Sequence, residues 1–201
     1  DTQWLRSGSQ SFAGLRLDAT WDTLDSINFP TQGTRAKFEV VALQPWANTQ
    51  GDANVVRLFY DHALSWQRYH LLLGAKVASA SDDHEAFRSQ SFLGGFLNLS
   101  GFSERSLLGN QAALARAVLY RRTGDTSRLF SLPLYVGGSV EAGNVWQRRS
   151  QLGSGSAVVA GSLFGGLDTP LGPIFLGFGR NNSGVDSWYL SFGSMLRQEP
   201  P

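Results

Sequence analysis

Apolar and polar side chains alternate along most of this chain with a period of two. Leu15, Leu17, Ala19 and Trp21 fall on one side of the backbone, and Arg16, Asp18, Thr20 and Asp22 on the other. That is the pattern of a strand with one apolar and one ionised face. After the turn-like stretch 28–33, Thr34, Ala36, Phe38, Val40 and Ala42 alternate with Arg35, Lys37 and Glu39. Over 54–63, Val56, Leu58 and Tyr60 oppose Arg57 and Asp61. Over 69–77, Tyr69, Leu71, Leu73, Ala75 and Val77 oppose His70, Gly74 and Lys76. Residues 79–108 break the pattern, and a loop of that length is usually functional or disordered. Alternation returns over 109–122, 130–141, 154–167, 172–180 and 185–196. The pattern therefore predicts nine strands, with 2–9 as a candidate tenth, and no helix of ten or more residues. Pro133 falls inside the predicted strand 130–141, where a proline signals an edge, a bulge or weak pairing.

Two architectures use such strands. A soluble sandwich turns its apolar faces inward; a transmembrane barrel turns them outward to lipid and keeps polar groups in its lumen. The predicted strands mostly run ten to fourteen residues, enough to cross a bilayer, which takes about 9–11. Charges of both signs occupy mid-strand positions on the polar face, among them Arg16, Asp18, Lys37, Glu39, Arg57, Asp61, Lys76, Arg116 and Glu141. Short turns (26–33, 64–66, 123–128, 168–171) alternate with longer connections (45–53, 79–108, 142–153), with 181–184 a short exception, as in outer-membrane barrels. The fold expected is thus all-β, a transmembrane antiparallel barrel of about eight to ten strands in a single domain spanning 1–201.

Composition narrows this further. Charged residues make up 16% of the 201 residues, against about 25% in soluble domains, while glycine is abundant at 23. The chain is too apolar for disorder. It has no cysteine for a disulfide scaffold, and no apolar run of about 18 residues for a membrane helix. A net charge of +1 gives no electrostatic basis for binding nucleic acid. No signal-peptide pattern is visible in residues 1–10.

Three segments go beyond generic patterning. The first is Asp22-Thr23-Leu24-Asp25-Ser26-Ile27-Asn28-Phe29-Pro30-Thr31-Gln32-Gly33. The second is Leu93-Gly94-Gly95-Phe96-Leu97-Asn98-Leu99-Ser100-Gly101-Phe102, followed by Ser106-Leu107-Leu108-Gly109-Asn110. The third is Val140-Glu141-Ala142-Gly143-Asn144-Val145-Trp146, joined later by Asp168-Thr169-Pro170-Leu171-Gly172-Pro173. In this order they resemble the barrel domain of the BamA/TamA/two-partner-secretion transporter superfamily, the bacterial surface antigen family. They are most similar to the barrel that follows a patatin-like hydrolase domain in type V secretion proteins.

The resemblance implies a sixteen-stranded barrel in the bacterial outer membrane. It also implies a long extracellular loop that folds back into the lumen and is followed by five strands. Here the loop is 79–108, and five predicted strands follow. At roughly 20 residues per strand and connection, 201 residues match the C-terminal part of such a barrel, or a short relative. Residues 2–9, or a second copy of the chain in a homodimer, are the candidates to complete it.

The family's loop tip carries an arginine before Gly-Phe/Tyr that docks on an acidic strand residue. This chain has Ser100 there, within the loop motif Leu99, Ser100, Gly101, Phe102 and Arg105, and the acidic partner matches Glu141. A serine does not make the bidentate bond of an arginine. The expectation is that the family's loop docking does not carry over unchanged, with Arg105 substituting from five residues on, or with Glu141 paired to Arg116 instead. The family's C-terminal aromatic is also missing, Phe192 being the nearest.

Catalysis is not expected. No G-x-S-x-G elbow occurs, and His70 reads as a hydrogen-bonded lumen residue. The run Asp82-Asp83-His84-Glu85 lacks metal-ligand spacing, so neither metal nor cofactor is expected. Trp21, Tyr60, Tyr69, Trp146, Trp188 and Tyr189 read as an interfacial girdle. The partners expected are outer-membrane lipid and lipopolysaccharide, with Arg148 and Arg149 in an outer loop. Two functions follow. One is a non-catalytic membrane module. The other is translocation or insertion of a client polypeptide through a weak barrel seam, with Gly177, Gly179 and Gly193 loosening the last strands.

Overall fold

A computed structural model describes residues 11–46, 53–81, 91–123 and 132–194. Nine strands form one antiparallel sheet in chain order. They are β1 (Ser11–Asp22), β2 (Gly33–Trp46), β3 (Ala53–Trp66), β4 (Tyr69–Ala80), β7 (Gln111–Thr123), β8 (Leu134–Trp146), β9 (Val158–Thr169), β10 (Gly172–Asn181) and β11 (Asp186–Phe192). Between β4 and β7 lies a small hairpin, β5 (Ser91–Leu93) with β6 (Leu107–Gly109). The nine strands are those the alternation predicts, while the hairpin inside the long loop is not foreseen. The candidate strand at 2–9 lies outside the described residues. Pro133 lies just before β8 rather than inside it, and its carbonyl accepts the Asp168 N–H at 3.0 Å.

Register sorts the side chains onto two faces, because successive residues of a strand point to opposite sides. One face is covered by chain. The connection 23–32 folds over it from the β1–β2 end, and the segment 91–109 folds over it from the opposite end of the strands. Phe29 stacks on Tyr135 with ring centroids 3.8 Å apart and packs on Phe175. Phe96 packs edge-on to Phe164 at 5.5 Å. These two inserted segments meet in one apolar cluster that also contains Ala63, Leu72, Leu97, Val118 and Tyr120. A second cluster gathers Leu93 and Leu99 with Ala78, Ala112, Leu114 and Ala160.

The other face is bare and apolar. Leu15 (74% exposed), Trp21 (68%), Leu163 (71%) and Trp188 (72%) are typical of it, whereas Glu39 (6%) and Glu141 (1%) are buried on the covered face. The ion pairs also lie on the covered face. Arg57 holds Glu39 at 3.0 Å, and Arg116 holds Asp61 at 2.9 Å. This distribution is the reverse of a water-soluble sheet, which hides its apolar face and exposes its charges.

Candidate functional site

The site is the tip of the long loop, residues 94–105, seated on β8, β10 and β11. It is built from the backbone outward. The Gly94 N–H donates to the Asn98 carbonyl at 2.7 Å, and the Asn98 side chain returns a bond to the Gly94 carbonyl at 3.1 Å. Leu97 and Leu99 both adopt left-handed backbone, with φ of 58° and 71°. That conformation costs an L-residue roughly 1–2 kcal/mol, and it persists only where surrounding contacts over-determine it.

Those contacts converge on Glu141. Its Oε2 accepts the backbone N–H of Leu99 at 2.6 Å and of Ser100 at 2.7 Å. Its Oε1 accepts the hydroxyls of Ser100 at 2.7 Å and of Ser139 at 2.5 Å. Ser139 Oγ also lies 2.7 Å from Ser162 Oγ. Two successive N–H groups around a left-handed residue make a concavity that binds an anion, here an internal carboxylate. Leu99 and Ser100 are fully buried, so these bonds face no competition from water.

The tip is tied on its other flank by Tyr189. Its hydroxyl accepts the Gly101 N–H at 2.7 Å and donates to the Phe102 carbonyl at 2.7 Å, while the Ser187 hydroxyl donates to the Gly101 carbonyl at 2.9 Å. The floor beneath is glycine. A Cβ on Gly179 would lie 2.5 Å from the Ser100 Cβ, and one on Gly177 would lie 2.8 Å from the Phe96 ring. Gly101 itself has φ of +96°, and a Cβ there would meet the Val185 carbonyl at 2.6 Å.

The structure thus brings Leu99 and Ser100 onto Glu141, through two backbone N–H groups and the serine hydroxyl. The serine is small enough to let backbone N–H groups do the binding. Neither proposed substitute is used. Arg105 lies over the Phe92 ring, 4.3 Å from its centroid. Arg116 and Glu141 face each other across β7 and β8, but Arg116 is engaged by Asp61 and donates to the Leu97 carbonyl at 3.2 Å. It braces the loop without pairing to Glu141. Phe102 packs partly buried on the second apolar cluster.

Tyr189 is corrected from the girdle to the loop's anchor. It alternates with Trp188, so the two cannot share a face, and that alternation is the signal that places it. Gly177 and Gly179 form the seat of the loop. Their position opposite Leu176 and Phe178 on β10 is the matching signal. His70 Nδ1 lies 2.7 Å from the Ser65 hydroxyl, while the acidic run around His84 lies outside the described residues.

The turn-side connection has its own anchor. Asp25 accepts the N–H groups of Thr31 at 2.8 Å and Gln32 at 3.2 Å, and the Thr31 hydroxyl. Burial pushes this carboxyl up, but the bonds from Thr31 and Gln32 together outweigh it and hold it below its ordinary value. Tyr120 donates to the Pro30 carbonyl, and Asn28 donates to Asp168 at 3.1 Å, which fixes the connection across the sheet.

No protein-family model matches the chain, and no curated protein matches it significantly.

Proposed function

We propose that this chain is a non-catalytic module of a bacterial outer-membrane β-barrel. Its bare apolar face meets lipid, and its covered face forms a lumen wall lined by paired charges. The observation that carries this reading is the inverted surface: exposed Leu15, Trp21, Leu163 and Trp188 on one side, buried Glu39 and Glu141 on the other. In water such a face would be an aggregation liability; in hydrocarbon it is the stable arrangement. Strand length agrees, since β1–β4 and β7–β9 run 12–14 residues. The docked loop and the turn-side connection occupy the covered face. This favours a plugged anchor that holds a neighbouring domain at the membrane. The chemistry of its partners is then that of outer-membrane lipid and lipopolysaccharide.

The second reading, passage of a client polypeptide through a weak seam, draws on β11, whose seven residues make the shortest strand of the main sheet. A client caught by photocrosslinkers along β11 would favour it.

The test of the first reading is the behaviour of the protein in membranes. Expected are partition into detergent, gel mobility that changes on heating, and quenching of Trp21 and Trp188 fluorescence by brominated lipid. A monodisperse protein in plain buffer, with neither tryptophan reached by lipid quencher, would overturn it.

A further inference from the structure

We propose that the short-turn end of the bare face holds the phosphate of an anionic phospholipid, through Arg121 on β7 and Arg68 in the β3–β4 turn, with Trp66 and Tyr69 against the upper part of its acyl chains. This rests on the reading that the bare face meets lipid.

Alternation puts Arg121 on that face. Leu119 is exposed there, and Tyr120 between them is buried on the covered face. Arg121 is itself exposed. It is the register partner of Tyr69 on β4, which in turn pairs with Trp66 on β3. Trp66, Tyr69 and Arg121 therefore stand in one row across three strands. The two rings stack with centroids 6.1 Å apart, and Trp66 stays half-exposed. Arg68 is exposed in the two-residue turn that joins β3 to β4, beside the left-handed Gln67. The next row inward on the same face is all leucine, Leu64, Leu71 and Leu119. From that row to the turn, the chemistry passes from aliphatic to aromatic to cationic, the order a phospholipid presents from chain to headgroup.

The charge is one-sided. Among the described residues neither Arg68 nor Arg121 has a carboxylate partner. The acidic groups at this end lie on the covered side and are engaged there. Asp22 lies 3.7 Å from Arg35, Asp25 binds Thr31 and Gln32, and Asp168 binds Asn28. Arg122 alternates to the covered side, opposite Tyr135. The contrast is Arg180, an outward arginine at the other end of β10, which has Asp186 directly across from it on β11. The sheet supplies Arg180 with a facing carboxylate and leaves Arg121 to find its anion elsewhere.

A cation on a lipid face is costly at the bilayer midplane and nearly free at the interface, so Arg121 marks the interface at this end. A guanidinium matches phosphate with parallel N–H bonds to two oxygens. Stacked aromatics suit the zone just beneath the headgroups. In outer-membrane barrels the short turns face the periplasm, where the leaflet is phospholipid and not lipopolysaccharide. A zwitterionic headgroup carries the same phosphate but brings an ammonium toward two arginines. The favoured occupant is a phospholipid with net negative charge.

The test uses the full-length protein in phosphatidylcholine vesicles. These carry, at equal mole fraction, phosphatidylglycerol or phosphatidylcholine brominated high on the chains. The fluorescence of Trp66 is taken as the difference between wild type and W66F. Its quenching should report association of the brominated phosphatidylglycerol about fivefold or more above that of the phosphatidylcholine, the effect of one or more cations beside an anionic headgroup. R68Q/R121Q should bring the two lipids to parity, with quenching by phosphatidylcholine and heat-modified gel mobility unchanged. R121K should keep part of the preference, and R180Q all of it. Equal quenching by both lipids in wild type would overturn the proposal, as would a preference that survives R68Q/R121Q or vanishes in R180Q. Loss of the preference on adding inorganic phosphate at constant ionic strength would assign the arginines to a soluble anion and overturn the lipid. Quenching by neither lipid, with Trp66 open to a water-soluble quencher, would instead overturn the membrane reading on which the proposal rests.

Discussion

Replacing Glu141 by alanine isolates what the loop dock contributes. The substitution removes the acceptor for two buried backbone donors, Leu99 N–H and Ser100 N–H, at 2.6 and 2.7 Å. Each buried donor left unsatisfied costs about 1–3 kcal/mol, giving about 2–6 kcal/mol for the pair. Since about 1.4 kcal/mol is tenfold in an equilibrium, the loop should open at least about 30-fold more often. Amide hydrogen exchange of residues 97–101 in the lipid- or detergent-embedded protein reads that opening directly. E141Q is the companion variant. The amide oxygen still accepts both N–H groups, and the hydroxyls of Ser100 and Ser139 can turn to accept from the new amide. What is lost is charge assistance, about 1 kcal/mol per bond, offset by relief of a buried carboxylate's desolvation. E141Q should therefore exchange faster than wild type but well below E141A. Exchange in E141A within threefold of wild type would refute the assignment of Glu141 as the dock. Exchange in E141Q as fast as in E141A would show that charge, rather than a satisfied acceptor, holds the loop.

Three further outcomes follow from other parts of the molecule. G179A places a Cβ 2.5 Å from that of Ser100, so it should lift the tip and raise exchange of residues 99–102 while leaving the exchange of β1–β3 unchanged. L163R, at a bare-face position in the middle of β9, should cost about 2–4 kcal/mol when refolding is measured by denaturant titration in vesicles; a change within about 0.5 kcal/mol is what a water-facing position would give. Asp25 has its pKa lowered in the folded state. Its contribution to the turn is therefore fully present above the ordinary carboxyl range and is lost as pH falls through the lowered value, so the protection of the Thr31 and Gln32 amides, taken relative to their intrinsic exchange at each pH, should fall on acidification in wild type but not in D25N.

Much of the fold was legible because a half-buried strand writes its orientation into every second residue. All nine strands of the main sheet are visible that way, and so is the inverted surface, since Arg116 and Glu141 fall on the polar face by alternation alone. The loop is a different case. Its hairpin strands are three residues each, too short for a period of two to register. Its docking depends on backbone N–H groups, which every residue carries and no sequence marks. The seat was half legible: Gly177 and Gly179 alternate with Leu176 and Phe178, a row of absent side chains on one face, and only the loop's position explains why they are absent. Tyr189 was misplaced because its neighbour Trp188 does belong to the outer face, and residue type was allowed to outweigh position.

The serine at the loop tip has a structural cause that can be tested. An arginine at this position would have to dock by reaching, with a long side chain between loop and sheet; this loop docks by approach. Left-handed Leu97 and Leu99 turn the backbone toward Glu141, and glycine on β10 lets it descend until the Leu99 N–H lies 2.6 Å from the carboxylate. At that depth Ser100 is fully buried, and its Cβ occupies the space a side chain on Gly179 would need. S100R therefore does not restore a stronger dock. The guanidinium has no volume to enter, and three of the four bonds that Glu141 accepts come from groups the substitution leaves in place. The variant should displace the tip and raise exchange of the Leu99 and Gly101 amides by more than tenfold, whereas S100A, which loses the hydroxyl's bonds and leaves the buried Leu97 N–H without its acceptor, should cost about 1–3 kcal/mol. An S100R protein whose loop amides exchange as slowly as wild type would mean that the wall accommodates the longer side chain, and that close approach is not what fixes the serine.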